Sequence, residues 1–368
     1  MFHRWRGTEK ADHAIVCKAW PWPTYDRGLA RHKAIALWGA ARRATTLTRQ
    51  DATMADVVTL TMNPAIDLSV SVERVTPFHK LRSSESRRDP GGGGINVARV
   101  LKRFGTDVTA IYPAGGTLGL LLSQLVDQEG ISQITIPIAN ETREDFTVNE
   151  HATGFQYRFV LPGPQLAEHE WQACLTLITA LEAQTRFVVC SGSLPPGVPN
   201  DFYRLIAEAT RRAGRQIIVD SSGAPLKAVL PAGVYLLKPS LSELHDIFGA
   251  PLDIRADQID ACRALVEKNH AEVVALTLGE HGAILATRDR VLRARALPIE
   301  PKSVVGAGDS FLGAMIWALS SGRALNEAFR CGVAAGSAAL LVPGTELCRR
   351  EDIERLVQEV ELDVITGR

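Results

Sequence analysis

The stretch Ser303-Val304-Val305-Gly306-Ala307-Gly308-Asp309-Ser310 joins small residues to an acid and runs straight into the apolar segment 311–319. Gly306 and Gly308 let backbone N–H groups turn inward at the start of a helix, where unpaired donors and the helix dipole attract anions. Beside such an anion hole, the Asp309 carboxylate has the chemistry of a base working next to a held phosphoryl group. The competing reading is a Gly-rich turn with Asp309 as an ordinary N-cap. On this stretch alone the two are equally well supported.

Other segments carry related chemistry. Asp89-Pro90-Gly91-Gly92-Gly93-Gly94-Ile95-Asn96 places four glycines before a helix, a run that offers N–H donors and lets a ligand approach the backbone. Asp67 follows the first strand and could accept hydrogen bonds from sugar hydroxyls or simply close a turn. Lys80, Arg82, Arg143 and Arg158 have the charge for a phosphate dianion, or form a solvated face. Lys238-Pro239-Ser240-Leu241-Ser242-Glu243 opens a helix, and Ser240 with Glu243 also satisfies a capping box. Thr277-Leu278-Gly279-Glu280-His281-Gly282 and Ser191-Gly192-Ser193 each follow a strand and expose glycine backbone.

The elements that must position these residues alternate. Apolar strand-like runs are read at 57–61, 108–112, 187–190, 216–220, 235–237 and 273–277. Helical periodicity is read at 96–104, 118–128, 168–183, 201–213, 241–248, 257–268, 310–319 and 327–341. Nearly unbroken apolar strands alternating with helices predict an α/β fold, a mainly parallel sheet covered on both faces. Ligands in such sheets bind beyond the carboxyl ends of the strands. Two stretches, 68–87 and 146–161, alternate in the β manner but are too polar for that sheet. They predict a small separate sheet lying over the strand ends as a lid, from about 67–88 and 143–161. Its apolar edges invite pairing with a second copy.

Composition excludes several classes. Lysine plus arginine equals aspartate plus glutamate at 41 each, so no global charge points to nucleic acid. No apolar run reaches the length of a membrane span. The six cysteines form no C-x-x-C pair and the nine histidines no H-E-x-x-H cluster, which argues against a zinc site and for reduced thiols in the cytoplasm. The first strand is not followed by G-x-G-x-x-G, and no G-x-x-x-x-G-K-[ST] is present, so a dinucleotide-binding dehydrogenase and a P-loop kinase are both disfavoured. Residues 1–53 hold four of the six tryptophans and an excess of Arg and Lys. They are expected to be a disordered leader or a mis-assigned start ahead of Met54, with 54–368 as the domain.

In this order the motifs resemble those of the ribokinase-like (PfkB-type) carbohydrate kinases. G-G-G-G-I-N-V-A-R is similar to that family's first signature and V-G-A-G-D-S to its second, with the resemblance running from about Val57 to the C-terminus. The strings Ala114-Gly115-Gly116, Gln156-Tyr157-Arg158-Phe159-Val160, Ser191–Gly197 and Val219-Asp220-Ser221-Ser222-Gly223 are similar to the family's minor-type 6-phosphofructokinase branch. The resemblance implies a three-layer α/β/α sandwich with a small β lid, and an ATP-dependent sugar-phosphate kinase. Gly93 stands where kinases of fructose 1-phosphate and tagatose 6-phosphate usually carry lysine, which favours fructose 6-phosphate as acceptor. Those two sugars, and a sugar-phosphate sensor with weak catalysis, are the alternatives.

The implied roles follow residue by residue. Asp309 is the base, and the N–H groups of Gly306, Ala307 and Gly308 hold the transferring phosphoryl group. Asp67, Gly92, Gly93, Asn96 and Ser191 bind the sugar, with Arg143, Lys80, Arg82 and Arg158 toward its phosphate. Lys238, Ser240, Glu243, Thr277, Gly279 and Gly282 lie along ATP, with Glu243 meeting magnesium through water. Ser240 replaces the asparagine of the family's N-x-x-E motif, which leaves metal affinity open. Ser303-Val304-Val305 replaces the common D-T-T, which leaves potassium activation open. A homodimer through the lid is the expectation that its exposed edges carry.

Overall fold

Alternate residues of the central strands face opposite layers. Val57 packs in one apolar core and Val58 and Leu60 in another, while Phe187 and Val189 part in the same way from Val188 and Cys190. Two cores on the two faces of one sheet make three layers, helix–sheet–helix. The computed structural model describes residues 55–365, and the expectation for residues 1–53 lies outside them.

The chain enters at β1 (Val57–Leu60), continues through β2 (Ala65–Val72) and β3 (Glu85–Gly91), and forms helix α1 (Gly93–Arg103). Next come β4 (Val108–Ala114), α2 (Gly116–Gln128), β5 (Ser132–Pro137), β6 (Arg143–Glu150), β7 (Gln156–Phe159), α3 (Glu168–Thr179) and β8 (Phe187–Ser191). There follow α4 (Phe202–Arg212), β9 (Gln216–Asp220), α5 (Gly223–Val229), β10 (Val234–Leu237), α6 (Leu241–Phe248), α7 (Arg255–Glu267) and β11 (Ala271–Thr277). The last elements are β12 (Ala283–Ala286), β13 (Val291–Ala294), α8 (Ala307–Ser320), α9 (Leu325–Ala339), α10 (Arg350–Leu356) and β14 (Leu362–Ile365).

The main sheet has the order β14-β13-β12-β11-β10-β9-β8-β1-β4-β5. From β5 to β11 every pairing is parallel, and β12 to β14 add antiparallel strands at one edge. The order reverses at β1, flanked by β4 on one side and β8 on the other, so a crevice opens beyond the carboxyl ends of these strands. The second sheet, β3-β2-β6-β7, rises from that end. Among the described residues no helix is long and apolar enough to cross a membrane.

The six central strands lie where apolar runs placed them. The hairpin strands β12 and β13, four residues each, gave no readable period, and β5 and β14 are half-exposed edge strands. The alternation expected through 68–87 is broken. β2 ends at Val72 and β3 starts at Glu85, and the exposed connection between them contains Pro77, which has no N–H to give a ladder. The helix expected over 168–183 stops at Thr179, because Thr185 N–H bonds back to the Glu182 carbonyl and its hydroxyl donates to the Ala55 carbonyl, turning the chain into β8.

Helices α1 and α8 carry Asn96 and Asp309, and their spacing rests on one small residue. A Cβ at Gly313 would lie 2.7 Å from Val100 Cβ and 3.3 Å from the Val97 carbonyl oxygen. Gly313→Ala must therefore push α8 off α1. We expect a loss of roughly 1–3 kcal/mol in denaturant unfolding, and a variant as stable as the parent would contradict this packing.

Candidate active site

Helix α8 begins earlier than its apolar period suggested. Its N-cap is Gly306, at φ 74°, a left-handed conformation that suits glycine, and a side chain there would strike Leu347. Asp309 is thus the third helical residue and not the cap, so the ordinary N-cap reading fails. Ser310 N–H bonds to the Gly306 carbonyl, while the N–H groups of Ala307, Gly308 and Asp309 lie in the first turn with no intrahelical acceptor.

The Asp309 carboxylate is partly buried and accepts a 2.8 Å hydrogen bond from Asn96 Nδ2. Burial, then the negative charge of Asp220, raise its pKa from 3.8 to about 6, against the lowering influence of the Asn96 hydrogen bond, Lys238 and Arg158. A carboxylate in that range is both largely ionised at neutral pH and basic enough to take a proton.

Lys238 leaves β10 buried and meets Asp220, at the end of β9, at 3.0 Å. Burial works against its charge, but Asp220, Glu243 and Asp309 outweigh that and hold its pKa above the ordinary value. A Cβ at Gly308 would lie 3.5 Å from Lys238 Nζ, so the ammonium stands beside the free N–H groups of α8. Ser191 Oγ, at the end of β8, donates to the other Asp220 oxygen at 3.3 Å. Gly93 is pressed against this hydroxyl: a Cβ there would fall 2.3 Å from it. The glycine run, β8, β9 and β10 thus converge on Asp309.

Asp67 sits in the small sheet in register with Asp89 on one side and Asp145 on the other. All three carboxylates are buried. Asp89 is held by Arg87, Arg99 and Thr345, and Asp145 by Arg143 and the Leu161 N–H. Burial first, then Asp145, raise the Asp67 pKa to about 6, while Arg158, Arg99 and Arg143 pull it down. Arg158 is exposed and reaches both Asp67 and Asp309 electrostatically. Arg143 donates to the carbonyls of Leu161 and Asn63, but its buried Nε has no partner among the described residues. Lys80 and Arg82 stay exposed on the connection from β2 to β3, and nothing ties them to these groups.

On the other flank, Ser240 caps α6. Its N–H donates to Glu243 Oε2 at 2.7 Å, and Glu243 N–H returns a bond to Ser240 Oγ at 3.3 Å. The capping box is therefore real, and the Glu243 carboxylate, its pKa raised by burial, faces Lys238 and Asp220. Thr277 bridges to this segment through its N–H to the Pro239 carbonyl at 3.0 Å, and Gly279 and Gly282 form the tight turn that follows. Among the described residues no group of three or more His, Cys, Asp or Glu side chains is placed to hold a metal ion. Sequence reasoning assigned no role to Asp220. Its signal was a strand ending in an acid three residues before a glycine, in a loop of the same kind as the others.

Asp220 and Lys238 pull on Asp309 in opposite directions. In a site-resolved 13C titration we expect Lys238→Met to raise the Asp309 midpoint above about 6 and Asp220→Asn to lower it. Shifts of the same sign in both variants would show that the two groups do not act on Asp309 as charges.

Residues 52–352 match the model of the pfkB family carbohydrate kinases. The chain is 46% identical over 302 residues to ATP-dependent 6-phosphofructokinase isozyme 2 of Mycobacterium tuberculosis, covering 82% of this chain and 89% of that one. It is 38% identical over 304 residues to the isozyme 2 of Escherichia coli K12, covering 82% and 98%. The crystal structure of phosphofructokinase-2 from Escherichia coli in complex with substrates and products superposes with a TM-score of 0.79 at 37% identity, over 82% of this chain and 98% of that one. With its two glycine signatures at Gly91–Gly94 and Gly306–Gly308, on a sheet and helix arrangement of the ribokinase-like kind, the chain belongs to the pfkB family of carbohydrate kinases.

Proposed function

We propose that the protein is an ATP-dependent 6-phosphofructokinase, transferring the γ-phosphoryl group of ATP to O1 of fructose 6-phosphate. The observation that carries this reading is a partly buried carboxylate with a pKa near 6, one turn into a helix whose first N–H groups are free and whose flank holds a buried ammonium. The similarity to the two isozyme 2 enzymes supports the sugar.

Asp309 Oδ2 is occupied by Asn96, which leaves Oδ1 for the incoming hydroxyl. As the O1–phosphorus bond forms and the bond to ADP breaks, Asp309 takes the hydroxyl proton. The N–H groups of Ala307, Gly308 and Asp309 and the Lys238 ammonium meet the charge on the transferring group, so most of the work is positioning and charge neutralisation. Asp67, Asn96 and Ser191, with the backbone at Gly92 and Gly93, orient the sugar. The unpartnered Arg143 Nε and exposed Arg158 suit its 6-phosphate, whereas Lys80 and Arg82, exposed on the β2–β3 connection, are left out of this assignment. Thr277, Gly279 and Gly282 flank the nucleotide.

A magnesium ion would neutralise phosphate charge. With its carboxylate engaged in the cap and no acidic cage nearby, Glu243 would hold that ion through water, most of the coordination coming from the phosphates. Potassium belongs to the same proposal beside Ser303–Val305, where Ser303 Oγ donates to the Gly344 carbonyl and accepts from Val305 N–H. Large apolar side chains stand exposed on the small sheet and its loops, among them Phe78, Phe155, Phe159 and Val160. A second copy of the chain covering them, with the sheet as lid, is part of the reading.

Loss of a general base typically costs about 10²–10⁴ in rate. Asp309→Asn should lower kcat by that order and leave fructose 6-phosphate binding, measured by calorimetry, nearly unchanged. A variant that keeps most of its activity would sink the assignment. Comparing kcat/KM for fructose 6-phosphate, fructose 1-phosphate and tagatose 6-phosphate tests the acceptor. The first should be highest, and a larger value for either of the others would replace it.

A further inference from the structure

Among the described residues Arg99 is the largest fully buried side chain, at 0% exposure, and beyond its hold on Asp89 and its field at Asp67 it has no part in the reaction set out above. Burying a guanidinium is costly unless its donors are met. Here Nε donates to Glu129 Oε1 at 2.8 Å and Nη2 to Asp89 Oδ1 at 3.5 Å. Nη1 is shared among the carbonyls of Pro90 and Thr345, both at 3.2 Å, and Asn96 Oδ1 at 3.3 Å. The last contact matters most, because the other end of the same amide donates to Asp309.

An asparagine amide can face either way, and its partners decide. A guanidinium only donates, so Arg99 accepts no arrangement but the one that turns Oδ1 toward it. The NH2 group then points at the carboxylate. Reversed, the amide would aim its oxygen at Asp309 and its two N–H groups at Arg99, losing both bonds and adding repulsion at each end. We propose that Arg99 is a positioning residue, whose donor-only side chain locks the Asn96 amide so that Asp309 always receives a hydrogen bond on Oδ2 and keeps Oδ1 for the acceptor hydroxyl. The role given to that hydroxyl rests on the kinase reading; the lock itself does not.

The lock has a titration signature. The Asn96 bond favours the charged carboxylate, so losing it raises the Asp309 midpoint and moves ionisation to higher pH. The other charged groups facing Asp309 are Asp220, Lys238 and Arg158, all left in place. Around Arg99 stand Asp89, Glu129, Arg103 and, through its field, Asp67. Arg99 could therefore also act through space, and the test must separate the two routes.

The test is a site-resolved 13C titration of Asp309 in the full chain, with near-ultraviolet circular dichroism as the check on folding. Arg99→Met, and the milder Arg99→Gln, whose amide can accept as well as donate, should raise the midpoint by roughly one pH unit. Arg99→Lys should leave it in place, because an ammonium also only donates. Adding Arg99→Met to Asn96→Leu should produce no further shift. Where the methionine variant does not fold, glutamine against lysine carries the comparison. An unchanged midpoint in a folded Met or Gln variant overturns the proposal, as does an equal shift with Lys or a shift that persists in Asn96→Leu. In turnover, kcat of Arg99→Gln should fall roughly tenfold near about pH 5.5 and stay within about twofold near about pH 8.5. Expected midpoints in a protein that phosphorylates no sugar would reject the kinase reading and keep the lock.

Discussion

The ion pair between Lys238 and Asp220 is the interaction on which the rest of the crevice depends. Three carboxylates, Asp220, Glu243 and Asp309, converge there from three different elements, and Lys238 is the buried cation among them. Like charges gathered in a poorly solvated crevice repel, and the ammonium offsets that repulsion. With it, Asp309 remains ionisable near neutrality while still being made basic by burial. The same ammonium stands beside Gly308, so the group that stabilises the acids also adds positive charge to the helix end.

The fold delivers these groups by register rather than by sequence proximity. β8, β9 and β10 are adjacent and parallel, so their carboxyl ends place Ser191, Asp220 and Lys238 side by side. On the other side of the crevice α1 and α8 pack so closely at Gly313 that Asn96 and Asp309 come within a hydrogen bond. The small sheet contributes a row of three buried acids, of which only Asp67 lacks a cation bound to it directly. An acceptor rich in hydroxyl groups suits such an acid, and an anion suits the arginines at its margin.

Much of this was legible before any coordinates. Apolar runs of three to five residues, most of them meeting a glycine, acid or lysine at their end or within three residues, located the parallel strands and the loops beyond them. The glycine signatures pointed to Asn96 and Asp309 because each opens a helix. What was not legible depended on long-range pairing. Asp220 reads as a strand-end acid until β9 is seen beside β10. Arg99 stood in the sequence only as the last residue of the first glycine signature, and it is the return of Asp89, Glu129 and Thr345 that encloses it. Ser240 and Glu243 carried two readings, a cap and a metal contact, and the capping bonds are formed. The arginines and lysines of the small sheet were read as one set, yet Arg143 and Arg158 reach the carboxylates while Lys80 and Arg82 remain outside, since the connection that carries them is not part of the sheet.

The central claim is that the ionisation of Asp309, raised toward neutrality, governs proton removal from the sugar. It is tested most directly by the pH dependence of kcat at saturating ATP and fructose 6-phosphate, in the parent and in the residual activity of Asp309→Asn. Because the raised pKa puts the charged, proton-accepting form above about pH 6, activity should climb through an acid limb near about pH 6 in the parent. That limb should be absent from the variant. A limb near about pH 4 would show a carboxylate that burial has not raised, and the same limb in both proteins would assign the titration to another group, Asp67 or the substrate phosphate; either would contradict the account.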